Sequence, residues 1–163
     1  MNTKRWRRLR PIRLFSVAAV VGLIVLFSNL APAQAMTWKS YTEDLSSAEE
    51  AKDPDGNGGE VGLKHCDVAC IQDYVAIFYD NGEMLKVRDN LSDGHAAKVV
   101  VSVQKNGASL DTDTFYVGTS ESGKVFDLGT PDGSGDIAEG LTVAIKVCIN
   151  EVGICSQTYY FKA

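Results

Sequence analysis

Past residue 35 this chain has no long apolar run, and across its 163 residues it has only two histidines, four prolines and four cysteines. A further membrane-spanning segment is therefore excluded after that point, since a span takes roughly 20 apolar residues. It also lacks the short signatures that carry familiar chemistry. No Gly-x-Gly-x-x-Gly or P-loop is present to cradle phosphate, no His-Glu-x-x-His to hold zinc, and no Gly-x-Ser-x-Gly to present a serine nucleophile. Those absences leave little from which to build an enzyme.

What is present begins at the amino terminus. Lys4, Arg5, Arg7, Arg8, Arg10 and Arg13 form a basic head with no acid among them. An apolar run follows from Leu14 to Phe27, then Ala31-Pro32-Ala33-Gln34-Ala35. Basic head, short apolar middle and small-residue exit make residues 1–35 a secretory signal peptide, cleaved after Ala35. The alternative is an uncleaved anchor. Six of the chain's 16 cations lie in that segment and none of its 21 anions, so ten remain against 21 and the remainder carries a net charge of −11. Such a charge repels phosphate backbones and anionic lipid heads, which argues against nucleic acid and, once the signal is removed, a membrane as partners. It favours solubility, cations and basic proteins.

An even cysteine count in an exported chain reads as disulfides. Cys148 and Cys155 flank a short segment with turn residues, and Cys66 and Cys70 close a small loop. Local pairing, 66 to 70 and 148 to 155, is favoured over the two long-range schemes. The competing use is a metal site built on His65, Cys66 and Cys70, but the Cys-x-x-x-Cys spacing departs from the usual zinc pattern, and we expect no metal and no cofactor.

Residues 36–65 read as a flexible, acidic, glycine-rich arm. Trp38 and Tyr41 stand in a polar stretch and are candidate partner anchors. Ser47-Ala48-Glu49-Glu50 fits a capping box, which predicts one or two helical turns near 45–52. Asp53-Pro54-Asp55-Gly56-Asn57-Gly58-Gly59-Glu60 reads as a linker. Two placements of the arm stay open: it adds to a partner's sheet, or Trp38 folds back over an edge of its own domain.

From Asp73 the pattern turns to period two. Strands are expected at 74–79 and 84–87, joined by Asp80-Asn81-Gly82, then at 98–104, ended by Asn106-Gly107. Shorter ones follow at 114–117 and 124–128, and a last pair at 141–148 and 155–161. About seven short strands and no long helix predict an all-β fold, a small immunoglobulin-like sandwich over residues 66–163, with a partly open barrel as the alternative.

Two loops carry residue types suited to chemistry. Asp53, Asp55 and Asn57 with Gly58 match the start of a calcium loop, but Lys64 stands where a bidentate Glu is needed. In Arg88-Asp89-Asn90-Leu91-Ser92-Asp93-Gly94-His95, a catalytic reading makes His95 a base oriented by Asp89 or Asp93. The plainer reading is a turn in which the Asp side chains bond their own backbone and Gly94 takes positive φ.

Gly82-Glu83, Val87-Arg88-Asp89, Asp93-Gly94-His95-Ala96-Ala97, Ala138-Glu139-Gly140, Val147-Cys148 and Cys155 together resemble small secreted β proteins of actinomycetes, over residues 66–163. Some of these look like the adaptor subunit of umbrella-shaped toxin particles. That resemblance implies that the segment from Met36 to Lys64 engages a repeat-containing stalk and that the sandwich holds a lectin-like subunit. The sequence therefore points to a secreted, non-enzymatic module that binds an extracellular protein. The alternatives are a small enzyme or enzyme inhibitor using the Asp89–His95 loop, and an extracellular carbohydrate or cation binder.

Overall fold

In the computed structural model of the chain, residues 36–45, 56–66, 69–129 and 137–163 are described. The signal segment, the capping box, Asp53 and Asp55 lie outside them. The chain divides into residues 1–35 and residues 36–163, and the fold below is that of the second part.

Among the described residues nine strands form it: β1 (Trp38–Asp44), β2 (Gly59–Cys66), β3 (Cys70–Tyr79), β4 (Met84–Asp89), β5 (Ala97–Lys105), β6 (Ala108–Val117), β7 (Lys124–Asp127), β8 (Thr142–Ile149) and β9 (Tyr159–Lys162). They make two antiparallel sheets, β1-β2-β3-β4-β7 and β6-β5-β8-β9. Turn chemistry sets the hairpins. Asn106 and Gly107 both take positive φ, 52° and 80°, as a two-residue hairpin turn demands. At the β3–β4 turn the positive φ values fall on Gly82 and Glu83.

The last seven strands have the immunoglobulin-like connectivity. The chain changes sheet after β4, after β6 and again after β7, so β3-β4-β7 faces β6-β5-β8-β9 as strands A, B, E face C′, C, F, G. Each disulfide is local, Cys66–Cys70 and Cys148–Cys155, so neither joins the two sheets in the manner of antibody domains. Between the sheets lie alternate residues of each strand. Val61, Leu63, Phe78 and Val87 meet Val99, Ile145, Val147 and Phe161, all at most 4 % exposed. One flank is closed by Phe115 of β6 against Phe126 of β7, ring centroids 4.5 Å apart. On the opposite flank Ser40 Oγ accepts the Gln157 N–H at 3.0 Å, and Asn57 and Lys162 exchange backbone hydrogen bonds of 3.1 and 3.4 Å.

The domain boundary expected at residue 66 is corrected here. Trp38–Asp44 and Gly59–Cys66 are strands of the sheet, and β2 pairs with β3 along its whole length apart from one irregularity at Leu63/Lys64. The glycines that suggested a linker are contact points instead. A Cβ on Gly59 would meet the Phe161 ring, and one on Gly62 would meet the Tyr74 carbonyl oxygen and the Tyr41 ring. Glycine weakens a strand but permits such close approach, and beside these glycines Val61 and Leu63 still point to the core.

Candidate functional site

The loop from Asp89 to His95 is a built turn. Asp89 Oδ1 accepts the Leu91 N–H at 3.1 Å, and Asp93 Oδ1 accepts the His95 N–H at 2.9 Å. Gly94 takes φ +86°. The second oxygen of each carboxylate is also engaged: Thr119 donates its hydroxyl to Asp89 Oδ2, and Tyr74 donates its phenol to Asp93 Oδ2 at 2.6 Å. Neither carboxylate therefore orients the His95 ring, whose Nδ1 is buried with no hydrogen-bond partner. The Asp–His base of the catalytic alternative is not assembled there, and the loop has the geometry of the plainer turn reading. Burial pushes the Asp89 carboxyl above the usual carboxylate range, against the Leu91 and Thr119 hydrogen bonds, and the charges of Asp93 and Asp73 add to the rise.

A histidine–carboxylate pair does occur one strand away. His65 Nδ1 lies 2.5 Å from Asp73 Oδ2, the His65 N–H donates to the same oxygen at 3.1 Å, and Asp73 is 1 % exposed. The Trp38 ring packs edge-on against His65 and tilted against Tyr74. The neighbouring Cys66 is oxidised to Cys70, so the pair has no thiol to activate and the competing use of His65, Cys66 and Cys70 as metal ligands has no thiolates to draw on. Among the described residues no group of three or more His, Cys, Asp or Glu is placed to hold a metal ion.

Trp38 and Tyr41, expected as anchors for a partner, face their own domain. Trp38 packs against the main core. Tyr41 is 6 % exposed and lies on the outer face of the five-stranded sheet, across Gly62 and over Val75 and Ile77. Its phenol donates to Glu60 Oε1 at 2.8 Å, and Arg88 pairs with Glu60 Oε2 at 2.8 Å, so three strands are tied over the apolar patch. Burial first, and then the hydrogen bond to Glu60, drive the Tyr41 phenol well above its ordinary value.

The open surface is the outer face of the four-stranded sheet. Register places Tyr116 opposite Lys98, Lys98 opposite Cys148, Val100 opposite Lys146, and Ala144 opposite Tyr160. One residue from each strand, Tyr116 (β6), Lys98 (β5), Lys146 (β8) and Tyr160 (β9), thus forms a diagonal stripe. Tyr116 and Tyr160 are 51 % and 63 % exposed, and Lys98 Nζ sits 5.9 Å from the Tyr116 ring centroid. Beside the stripe Ser102, Ser109 and Thr112 join their hydroxyls in a triangle of 2.9, 3.0 and 3.3 Å. The only acids in these four strands are Asp111 and Asp113, and they stand opposite Val103 and Val101, in register with the inward row. Sequence reading missed this surface because it appears only when β5 and β8, some 40 residues apart, are paired. The signal that could have found it was the polar residues at even positions, Lys98, Ser102 and Gln104 in one strand and Thr142 and Lys146 in the other.

No helix among the described residues is long and apolar enough to cross a membrane. Comparison with protein-family models, curated proteins and solved structures finds nothing that matches this chain, so its chemistry must be argued from its own residues.

Proposed function

We propose that the protein is exported and acts as a non-enzymatic binding module, engaging an extracellular macromolecule through the outer face of β6-β5-β8-β9. The single observation that carries this reading is the acid-free stripe Tyr116–Lys98–Lys146–Tyr160 on a domain whose acids outnumber its cations about two to one. Exposed tyrosines are favoured anchors at interfaces, and lysines beside them attract an anionic partner. The basic and apolar amino terminus and the two disulfides support export. The Asp89–His95 loop supports an enzyme less well, because its carboxylates are engaged by Tyr74, Thr119 and backbone N–H groups. An adaptor role with β1 as the docking segment would need Trp38 and Tyr41 to leave contacts they already make.

The test is capture from culture supernatant with two baits, the wild-type protein and Lys98→Glu/Lys146→Glu. The expected result is a partner retained by the wild type and lost by the variant, with superimposable melting curves. Equal retention by both baits would rule out the face as the binding surface.

A further inference from the structure

We propose that the stripe Tyr116–Lys98–Lys146–Tyr160 binds an extended anionic polysaccharide, with carboxylated sugars as its chemical class. This rests on the binding-module reading and names its partner. The stripe crosses three inter-strand steps and four residues of strand, which makes it about 20 Å long. It runs across the central strands β5 and β8, which are paired on both sides, and free backbone groups occur only along the outer edges of β6 and β9, so a peptide strand could add beside the stripe but not along it.

What it does offer matches a sugar acid. Two exposed phenol rings present apolar faces at the ends of the stripe, where the carbon faces of pyranose rings can stack. Lys98 and Lys146 lie between them, with no acid from these strands to compete for a carboxylate. The Ser102–Ser109–Thr112 triangle supplies hydroxyls that both donate and accept, as sugar hydroxyls do. An acidic protein would complement the lysines equally, but it has no need of the hydroxyl triangle or of two open rings at this spacing.

Titration calorimetry of the full protein against three probes tests the proposal: polygalacturonate, neutral dextran, and poly-glutamate of matched charge. Polygalacturonate should bind and weaken with added salt, and dextran should not bind. Tyr160→Ala, Tyr116→Ser and Lys98→Met/Lys146→Met should each raise the polygalacturonate Kd at least ten-fold without moving the melting temperature. Absent polygalacturonate binding, or binding untouched by these variants, would overturn the assignment. Poly-glutamate binding as tight as polygalacturonate would overturn it too, in favour of an acidic protein partner. If Lys98→Met/Lys146→Met lost polygalacturonate but kept the supernatant partner, the polysaccharide assignment would fall while the binding-module reading stood.

Discussion

Truncating Tyr41 tests whether β1 belongs to the domain. The ring is 6 % exposed and fills the groove that Gly62 leaves over Val75 and Ile77. No neighbour can refill that groove, because a side chain at position 62 would collide with the Tyr74 carbonyl oxygen. Truncations of buried aromatics cost about 3–5 kcal/mol. The Tyr41 site lies on an outer face that water can enter, so the low end, about 3 kcal/mol, applies. Tyr41→Phe keeps the ring and removes only the phenol donor. Glu60 keeps its pairing with Arg88 through Oε2 at 2.8 Å and only Oε1 loses a donor, so the cost is about 1–1.5 kcal/mol. At about 4 °C per kcal/mol for a domain of this size, melting should fall by about 12 °C for Tyr41→Ala and about 5 °C for Tyr41→Phe. Thermal melts followed by circular dichroism give both numbers, and hydrogen exchange should show β1 amides losing protection in Tyr41→Ala. A Tyr41→Ala protein that melts with the wild type, with β1 amides unprotected in both, would refute the docking of β1 on its own sheet.

Gly62→Ala should be worse than Tyr41→Phe, because the added methyl meets backbone across the β2–β3 pairing; a loss above about 3 kcal/mol or failure to fold is expected in denaturant melts. Removing Cys148–Cys155, which bridges a separation of seven residues, should cost about 2–3 kcal/mol by loop-closure arithmetic, and an unchanged denaturation midpoint in Cys148→Ala/Cys155→Ala would contradict this. Tyr41 and Tyr74 both ionise above their ordinary value, held first by burial and then by hydrogen bonds to Glu60 and Asp93, so in an alkaline absorbance titration two of the six tyrosines should lag the rest. Because their folded values are raised, the stability they contribute is full below about pH 10 and is lost above it as the unfolded chain ionises first. The same sign holds for Asp89 in the acid range: its contribution is greatest below the ordinary carboxylate value and declines as pH rises through the elevated folded value, so Asp89→Asn should flatten that part of the stability–pH curve.

Where local chemistry decides structure, the sequence was readable. Asp80-Asn81-Gly82 predicted the β3–β4 hairpin, Asn106-Gly107 marked the end of β5, alternation placed β3, β4, β5 and β8 within a few residues, and the small cysteine loops closed locally. Strand β6 was recognised only in its second half, since Ala108 to Asp113 mixes acids with a single Leu and carries a weak strand pattern. Strand β2 was missed for a different reason. A segment with three glycines among residues 58–62 reads as linker until Phe161 and Tyr41 are laid across it, and those contacts come from distant parts of the chain. The candidate surface was hidden likewise: Lys98 and Lys146 are unremarkable apart, and only the β5–β8 pairing sets them on one face.

The flank where Ser40 and Asn57 meet Gln157 and Lys162 has a consequence for the order of assembly. Its contacts span 105 to 117 residues, whereas the β3–β4 and β5–β6 hairpins join neighbours in sequence. Closing long loops is entropically slow, so hairpins should form early and this clasp late. Until β9 has been made, the groove over Gly59 has no Phe161 to fill it. The first strands of the domain therefore gain their last partners only once its carboxyl-terminal strand has been made, so β1 and β2 should be the last to gain protection during refolding.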